Sequence, residues 1–206
     1  MTATTIKVPE MPELTFEEKR HIYRLDGVQI PSVSRLMEPL KASCYAGVSN
    51  RTLENAAKKG TSVHNSIENW LKFGIENIPA EHRGYYDGFR ELWDKYNPVL
   101  VASEMKMYHK LLRYGGTIDL LCILGDELAL VDFKTTYTLL EMTCGVQLEA
   151  YSQGLASHGL QIQRKHILHM KKDGKWAFPE FPAKDPTRWR VVGALKSLYD
   201  YEQSYK

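Results

Sequence analysis

The stretch 114-YGGTIDLLCILGDELALVDFKTT-136 reads as two apolar strands folded about Gly125-Asp126, each carrying an aspartate that a strand interior normally avoids. Mirrored about that turn, Asp119 falls opposite Asp132. Like charges facing each other across a ladder are destabilising, so a positive charge is expected between them. Strand periodicity puts Asp132 and Lys134 on one face and Phe133 on the other, and the same register brings Asp119 to the Asp132 face. Hard divalent cations such as Mg²⁺ take carboxylate oxygens, keep several waters, and lower the pKa of a bound water. Lys134 beside such a site would orient that water or offset charge developing on a phosphate. The competing interpretation is an ordinary ion pair between Asp132 and Lys134 with Asp119 in solvent, which is common on surfaces. The apolar run of LALVDFKTT weighs against it, because it describes a buried strand emerging at its C-terminal end, where α/β proteins place ligands.

Working outward, 20-RHIYRLDGVQIPSVSRLMEPL-40 alternates and turns at Asp26-Gly27, predicting a short hairpin. Ser32 then caps a helix over 33–38 that Pro39 should stop. Residues 51–74 are helical in pattern, with Gly60 an expected interruption and Gly74 the expected stop. A further helix is predicted at 81–96, ended by Asn97-Pro98. Strands are expected at 99–108, 111–124 and 128–134, a helix near 143–158, strands at 163–170 and 175–181, and a last helix from 186. This order predicts an α/β (α+β) fold with a mixed central sheet flanked by helices.

The chain has 206 residues, 43% hydrophobic and 25% charged, with a net charge of +2, which suits one folded domain over 16–206 behind a frayed arm over 1–15. No apolar run approaches the ~20 residues that span a bilayer, and the N-terminus lacks the layout of a signal peptide, so an intracellular protein is expected. Cys44, Cys122 and Cys144 have no paired short spacing and are expected to be small buried apolar residues rather than disulfides or ligands. Arg164, Lys165, Lys171, Lys172 and Lys175, with His166 and His169, form the one basic cluster in 164-RKHILHMKKDGK-175. Charge alone makes it a solvated hairpin.

Ile118-Asp119 followed by Val131-Asp132-Phe133-Lys134-Thr135 resembles the core signature of the PD-(D/E)xK nuclease superfamily, which has a restriction-endonuclease-like core. The segment 147-QLEAY-151 is similar to the Gln-x-x-x-Tyr motif of its RecB-like exonuclease branch. Gly60-Thr61-Ser62-Val63-His64 resembles the helical histidine motif of that branch, and 23-YRLDGVQIPSVSRL-36 resembles the N-terminal segment of phage exonucleases and the mitochondrial genome maintenance exonuclease.

The resemblance implies that His64, Asp119, Asp132 and the main-chain carbonyl of Phe133 bind Mg²⁺ or Mn²⁺. It makes Asp119, Asp132 and Lys134 catalytic, and Glu104, by analogy, an extra carboxylate. Gln147 and Tyr151, one helical turn apart, would line the site against the nucleic-acid backbone. Glu68, one turn beyond His64, is a candidate to orient the imidazole. No cysteine after Cys144 is available for the iron-sulphur cluster of some relatives, so none is expected.

The expected activity is a metal-dependent DNA exonuclease acting on DNA ends or single strands, in phage-type recombination, replication or DNA degradation. Arg164, Lys165, Lys171 and Lys172 would then contact phosphates. Alternatives are a structure-specific or nicking endonuclease of the same fold and a non-catalytic DNA-binding protein. No protein partner is legible.

Overall fold

The computed structural model describes residues 6–205; positions 1–5 of the expected arm lie outside it. Leu14–Glu17 (β1), Ile22–Leu25 (β2) and Val28–Ile30 (β3) form a small antiparallel sheet. Its β2–β3 turn is the expected one, with Asp26 at φ 51° and Gly27 at φ 77°, the left-handed pair that a tight hairpin requires. The expected arm over 1–15 is corrected in part: Leu14 and Thr15 pair with β2, and Ile6 and Met11 pack against the core.

Val33–Leu36 (α1) starts at Ser32, whose hydroxyl accepts the Arg35 N–H at 3.1 Å. Pro39 does not end the helical run there. It sits in the first turn of a second helix, Glu38–Cys44 (α2), where its missing N–H costs nothing. Asn50–Phe73 (α3) is one unbroken helix, capped by Ser49 and closed by Gly74 in the left-handed conformation. Gly60 therefore does not interrupt it; packing of the helix outweighs a single glycine's cost of about 1 kcal/mol. Arg83–Tyr96 (α4) ends at Asn97, also left-handed.

The main sheet holds Val99–Tyr108 (β4), Gly115–Leu124 (β5), Glu127–Lys134 (β6), Arg164–Met170 (β7) and Trp176–Ala177 (β8) in that order, with Glu180–Phe181 (β9) on the other part of β7. Strands β4, β5 and β6 are an antiparallel meander, and β6 and β7 run parallel. Between those two comes Glu141–Ala156 (α5), and Pro186–Gln203 (α6) closes the chain. Leu128 and Leu130 of β6 join a core with α1, α5 and α6, while Ala129, Val131 and Phe133 join a second core with α3 and α4. Strand alternation thus divides β6 between two helical layers, which is the mixed α/β sandwich expected. Cys122 and Cys144 are buried in these cores and Cys44 is half-buried. Among the described residues no helix is long and apolar enough to cross a membrane.

Candidate active site

The β5–β6 ladder runs from Leu124↔Glu127 to Leu120↔Val131, in the register that sets Asp119 opposite Asp132. There the strands part. The Phe133 N–H donates to Asp119 Oδ2 at 2.6 Å, so a side chain takes the place of a ladder carbonyl. On the other side of β5, Ser103↔Leu120 and Met105↔Ile118 bracket Glu104, placing it opposite Asp119. Three carboxylates therefore line up across β4, β5 and β6. Glu104 adopts φ 49°, a left-handed conformation that costs a non-glycine residue roughly 1–3 kcal/mol and is kept only where the surroundings impose it. Alternation also slips across Asp119: Ile118 and Leu121, three apart, both enter the α5–α6 core.

The expected common face for Asp119, Asp132 and Lys134 is replaced by an arrangement that straddles the end of the sheet. From the α3 side, His64 Nδ1 lies 3.4 Å from Asp119 Oδ1 and 3.9 Å from Glu104 Oε1. Its ring packs edge-on to Phe133 at 5.5 Å. One donor atom from each of His64, Glu104 and Asp119 lies within 4.8 Å of the others, the spacing of a cation's ligand shell. Asp132 falls outside that group of three. From the α5 side, Lys134 Nζ is 2.5 Å from Asp132 Oδ2 and donates to Gln147 Oε1 at 3.0 Å. Gln147 Nε2 donates back to Asp132 Oδ1 at 2.9 Å and to the Tyr151 hydroxyl at 3.1 Å. The amide closes a ring with acid and lysine. Gly116 makes room for Tyr151, since a Cβ there would come within 2.6 Å of its ring.

The positive charges expected between the aspartates are thus His64 and Lys134, and the electrostatics follow from that. Burial alone would lower His64, but Asp119 and Glu104 outweigh it and raise the imidazole to about 9. Burial and the neighbouring Asp119 charge raise Glu104 to about 7. Asp119 is pushed up by burial yet held below the usual carboxylate range by His64, Lys134 and the Phe133 N–H. Burial lifts Asp132 against the pull of Lys134, with Asp119 adding to the rise. Burial would lower Lys134, but Asp132 and Asp119 keep its ammonium charged, with its pKa above the ordinary value. Perturbation this dense in one cleft marks functional sites more often than structural ones.

All these side chains line a cleft of about 650 Å³ whose other wall is the small sheet, through Phe16, His21 and Tyr23. Tyr23 fixes that wall by its 2.6 Å hydrogen bond with Thr117 Oγ1. Lys106 also lines it and donates to the Glu104 carbonyl at 3.0 Å. Sequence reasoning missed Lys106, although Glu104-Met105-Lys106 repeats the acid-x-lysine spacing of Asp132-Phe133-Lys134. Glu68 lines the cleft but is ion-paired with Lys72, so it does not hold the imidazole.

The basic segment is corrected. Lys165 is 1% exposed and paired with Glu149, and Arg164 is held by Glu180 at 2.8 Å; neither is offered to a phosphate. They pair with Leu130 and Ala129, four and five residues before Lys134, so the register carries them away from the site. Lys171 is spent on the Tyr137 carbonyl, and Lys172 is exposed outside the cleft lining.

No family model matches this chain, and no curated protein matches it. Among solved structures, SSO0001 is similar at 14% identity and a TM-score of 0.46, over 81% of this chain and 74% of that one. The alkaline exonuclease LHK-Exo from Laribacter hongkongensis is similar at 12% identity and a TM-score of 0.43, over 84% of this chain and 89% of that one. LHK-Exo in complex with dAMP matches at the same identity and score, over 85% and 88%.

Proposed function

We propose that the chain is a divalent-metal-dependent nuclease, a DNA exonuclease of the PD-(D/E)xK superfamily that hydrolyses phosphodiester bonds from DNA ends or in single-stranded DNA. One observation carries the reading: His64, Glu104 and Asp119 converge on one point beside the Asp132–Lys134–Gln147 ring, at the floor of an open cleft. Two carboxylates and an imidazole suit a hard or borderline divalent ion, Mg²⁺ or Mn²⁺ by this reading. The strained backbone of Glu104 favours the same interpretation, because a merely structural ion pair would not need it. Asp132, opposite Asp119 where the ladder ends, and the Phe133 carbonyl complete the proposed ligand set. When bound, the cation polarises the phosphate and lowers the pKa of a water.

The protein's own residues do the rest. Lys134 stays charged, and beside the proposed ligands its ammonium would offset the negative charge that grows on a phosphate during attack. Asp132 and Gln147 fix that ammonium from two directions, so little reorganisation is needed at the moment of reaction. Tyr151 holds Gln147 in turn. A role in phage-type recombination, replication or DNA degradation belongs to this proposal through the sequence resemblance alone.

The test is digestion of end-labelled single- and double-stranded linear DNA, with a closed circular control, in Mg²⁺, Mn²⁺ and EDTA, by wild type and Lys134→Ala. Metal-dependent shortening from ends that Lys134→Ala loses is the expected result. Nicking of the circle would make it an endonuclease. Binding without cleavage by the folded protein would make it a DNA-binding protein.

A further inference from the structure

The cleft continues past the candidate ligands. Its wall at His21, Ser32 and Ser34 is shared with a second groove of about 620 Å³, which passes between the small sheet, α1, α2 and the end of α6. Three cations line that groove, and two are already spent: Arg20 lies 3.7 Å from Glu17, and Arg35 is ion-paired with Glu38. Lys41 differs. It is half-buried, and among the described residues its ammonium makes no ion pair or hydrogen bond. Burial and the charge of Lys134 both disfavour its ionised form, so it lies within electrostatic reach of the candidate catalytic lysine. Glu38, one turn earlier on α2, is turned to Arg35 instead. Asp132 and Glu38 favour the charge from a distance without offsetting burial and Lys134, so a half-buried cation with no direct partner is unfavourable unless an anion arrives to pair with it.

We propose that Lys41 binds a backbone phosphate of the substrate strand, next to the phosphate being cut, on the side where that strand leaves the metal ligands for the second groove. The inference rests on the nuclease reading and adds the path and class of substrate. Both stretches, at about 650 and 620 Å³, fall in the roughly 300–1,000 Å³ range of small-molecule pockets, room for about one or two nucleotides of a single strand each. The substrate that such a path suits is single-stranded DNA, or a single-stranded end. Lys41 is a substrate-binding residue, and Lys134 remains the one at the reacting phosphate.

The experiment compares wild type, Lys41→Ala, Lys41→Met and Lys41→Arg on single-stranded oligonucleotides in Mn²⁺, with a melting curve for each variant. A parallel arm measures binding in EDTA by fluorescence anisotropy over a salt series. Losing one charge-assisted phosphate contact should raise KM about tenfold, with the effect on KM rather than kcat, and flatten the salt dependence by roughly one phosphate contact. Arg should restore both. Oligonucleotides with one phosphate at a time replaced by neutral methylphosphonate should contain a position that weakens wild type about tenfold and leaves Lys41→Ala unaffected. Equal losses in both proteins at every position, or an unchanged KM and salt slope in folded Lys41→Ala and Lys41→Met, would overturn the proposal. So would a fall in kcat alone, which would mean that Lys41 acts only through Lys134. If wild type cleaves nothing, the nuclease reading fails, and the anisotropy arm still decides whether Lys41 meets a phosphate.

Discussion

On β7, Lys165 reaches across to Glu149 of α5 in a pair 1% exposed on each side, and Gln153 supplies the carboxylate's other oxygen with a hydrogen bond at 2.8 Å. Where β6 ends, four residues beyond the Lys165 register, Glu104, Asp119 and Asp132 line up across three strands, with His64, Lys134 and, 3.8 Å from Glu104, Lys106 among them. Both sets sit on one sheet and both withdraw charge from water. The first is closed: every charge has one opposite partner and no opening to solvent. The second is open: its acids and cations alike face a cleft, and the contacts of His64 and Lys106 with the acids are long, at 3.4–3.9 Å. A closed pair serves the fold, because losing one partner strands the other in a medium that solvates it poorly. An open acidic row weakens the fold and is kept where something positive is to be bound.

This contrast can be broken first at the closed pair. Lys165→Met should cost roughly 3–5 kcal/mol by denaturant unfolding, and adding Glu149→Leu should recover most of it; a loss that the second change does not recover would mean the two residues are not coupled as described. Next in size, Asp132→Asn should lower turnover about 10²–10³-fold while leaving the melting temperature equal or higher, because burial and the neighbouring Asp119 already disfavour the Asp132 charge. A large fall in stability there would make the acidic row a structural element.

Titration sharpens the same point. The folded metal-free protein holds the His64 proton to about 9, above its ordinary 6.5, so this contribution to stability is complete below 6.5 and lost as pH rises through about 9. Glu104 is likewise raised, from 4.5 to about 7, and the fold loses the advantage of its neutral form as pH rises through about 7. Melting temperature of the metal-free protein should therefore fall from about pH 4.5 to 7 through Glu104 and on to about 9 through His64, and Mn²⁺ should protect more strongly as pH rises over that range, because ligands must shed protons to bind. The smallest effect is expected at Glu104→Gly. Removing a side chain held at φ 49° should stabilise the metal-free protein by about 1 kcal/mol or less while weakening Mn²⁺ binding.

The central hairpin was legible because its register follows from one turn and an uninterrupted apolar alternation, and every pair from Leu124↔Glu127 to Leu120↔Val131 obeys it. Asp119, Asp132, Lys134, Gln147 and Tyr151 came with it, through spacing and motif order. What alternation could not supply was its own failure at Asp119, where the ladder ends and Glu104 turns left-handed. That slip sends Asp119 towards α3 and leaves Asp132 and Lys134 facing α5. The basic segment misled for a related reason. Charges counted along β7 alternate in facing, so Lys165 points into the core, and local sequence does not announce that Glu149 of α5 is its partner. Pro39 was read by its power to stop a helix when its place in the next helix's first turn made it a start.

The most direct test of the central claim is Mn²⁺ binding to the protein alone, followed by the paramagnetic resonance of free Mn²⁺, for wild type, His64→Ala and Asp119→Asn with folding checked by melting curves. Saturable binding by wild type that strengthens from about pH 7 to about 9, and that each substitution weakens, is expected. Failure of folded wild type to bind Mn²⁺ at any pH in that interval would contradict the account and leave the row of carboxylates balanced by His64, Lys106 and Lys134.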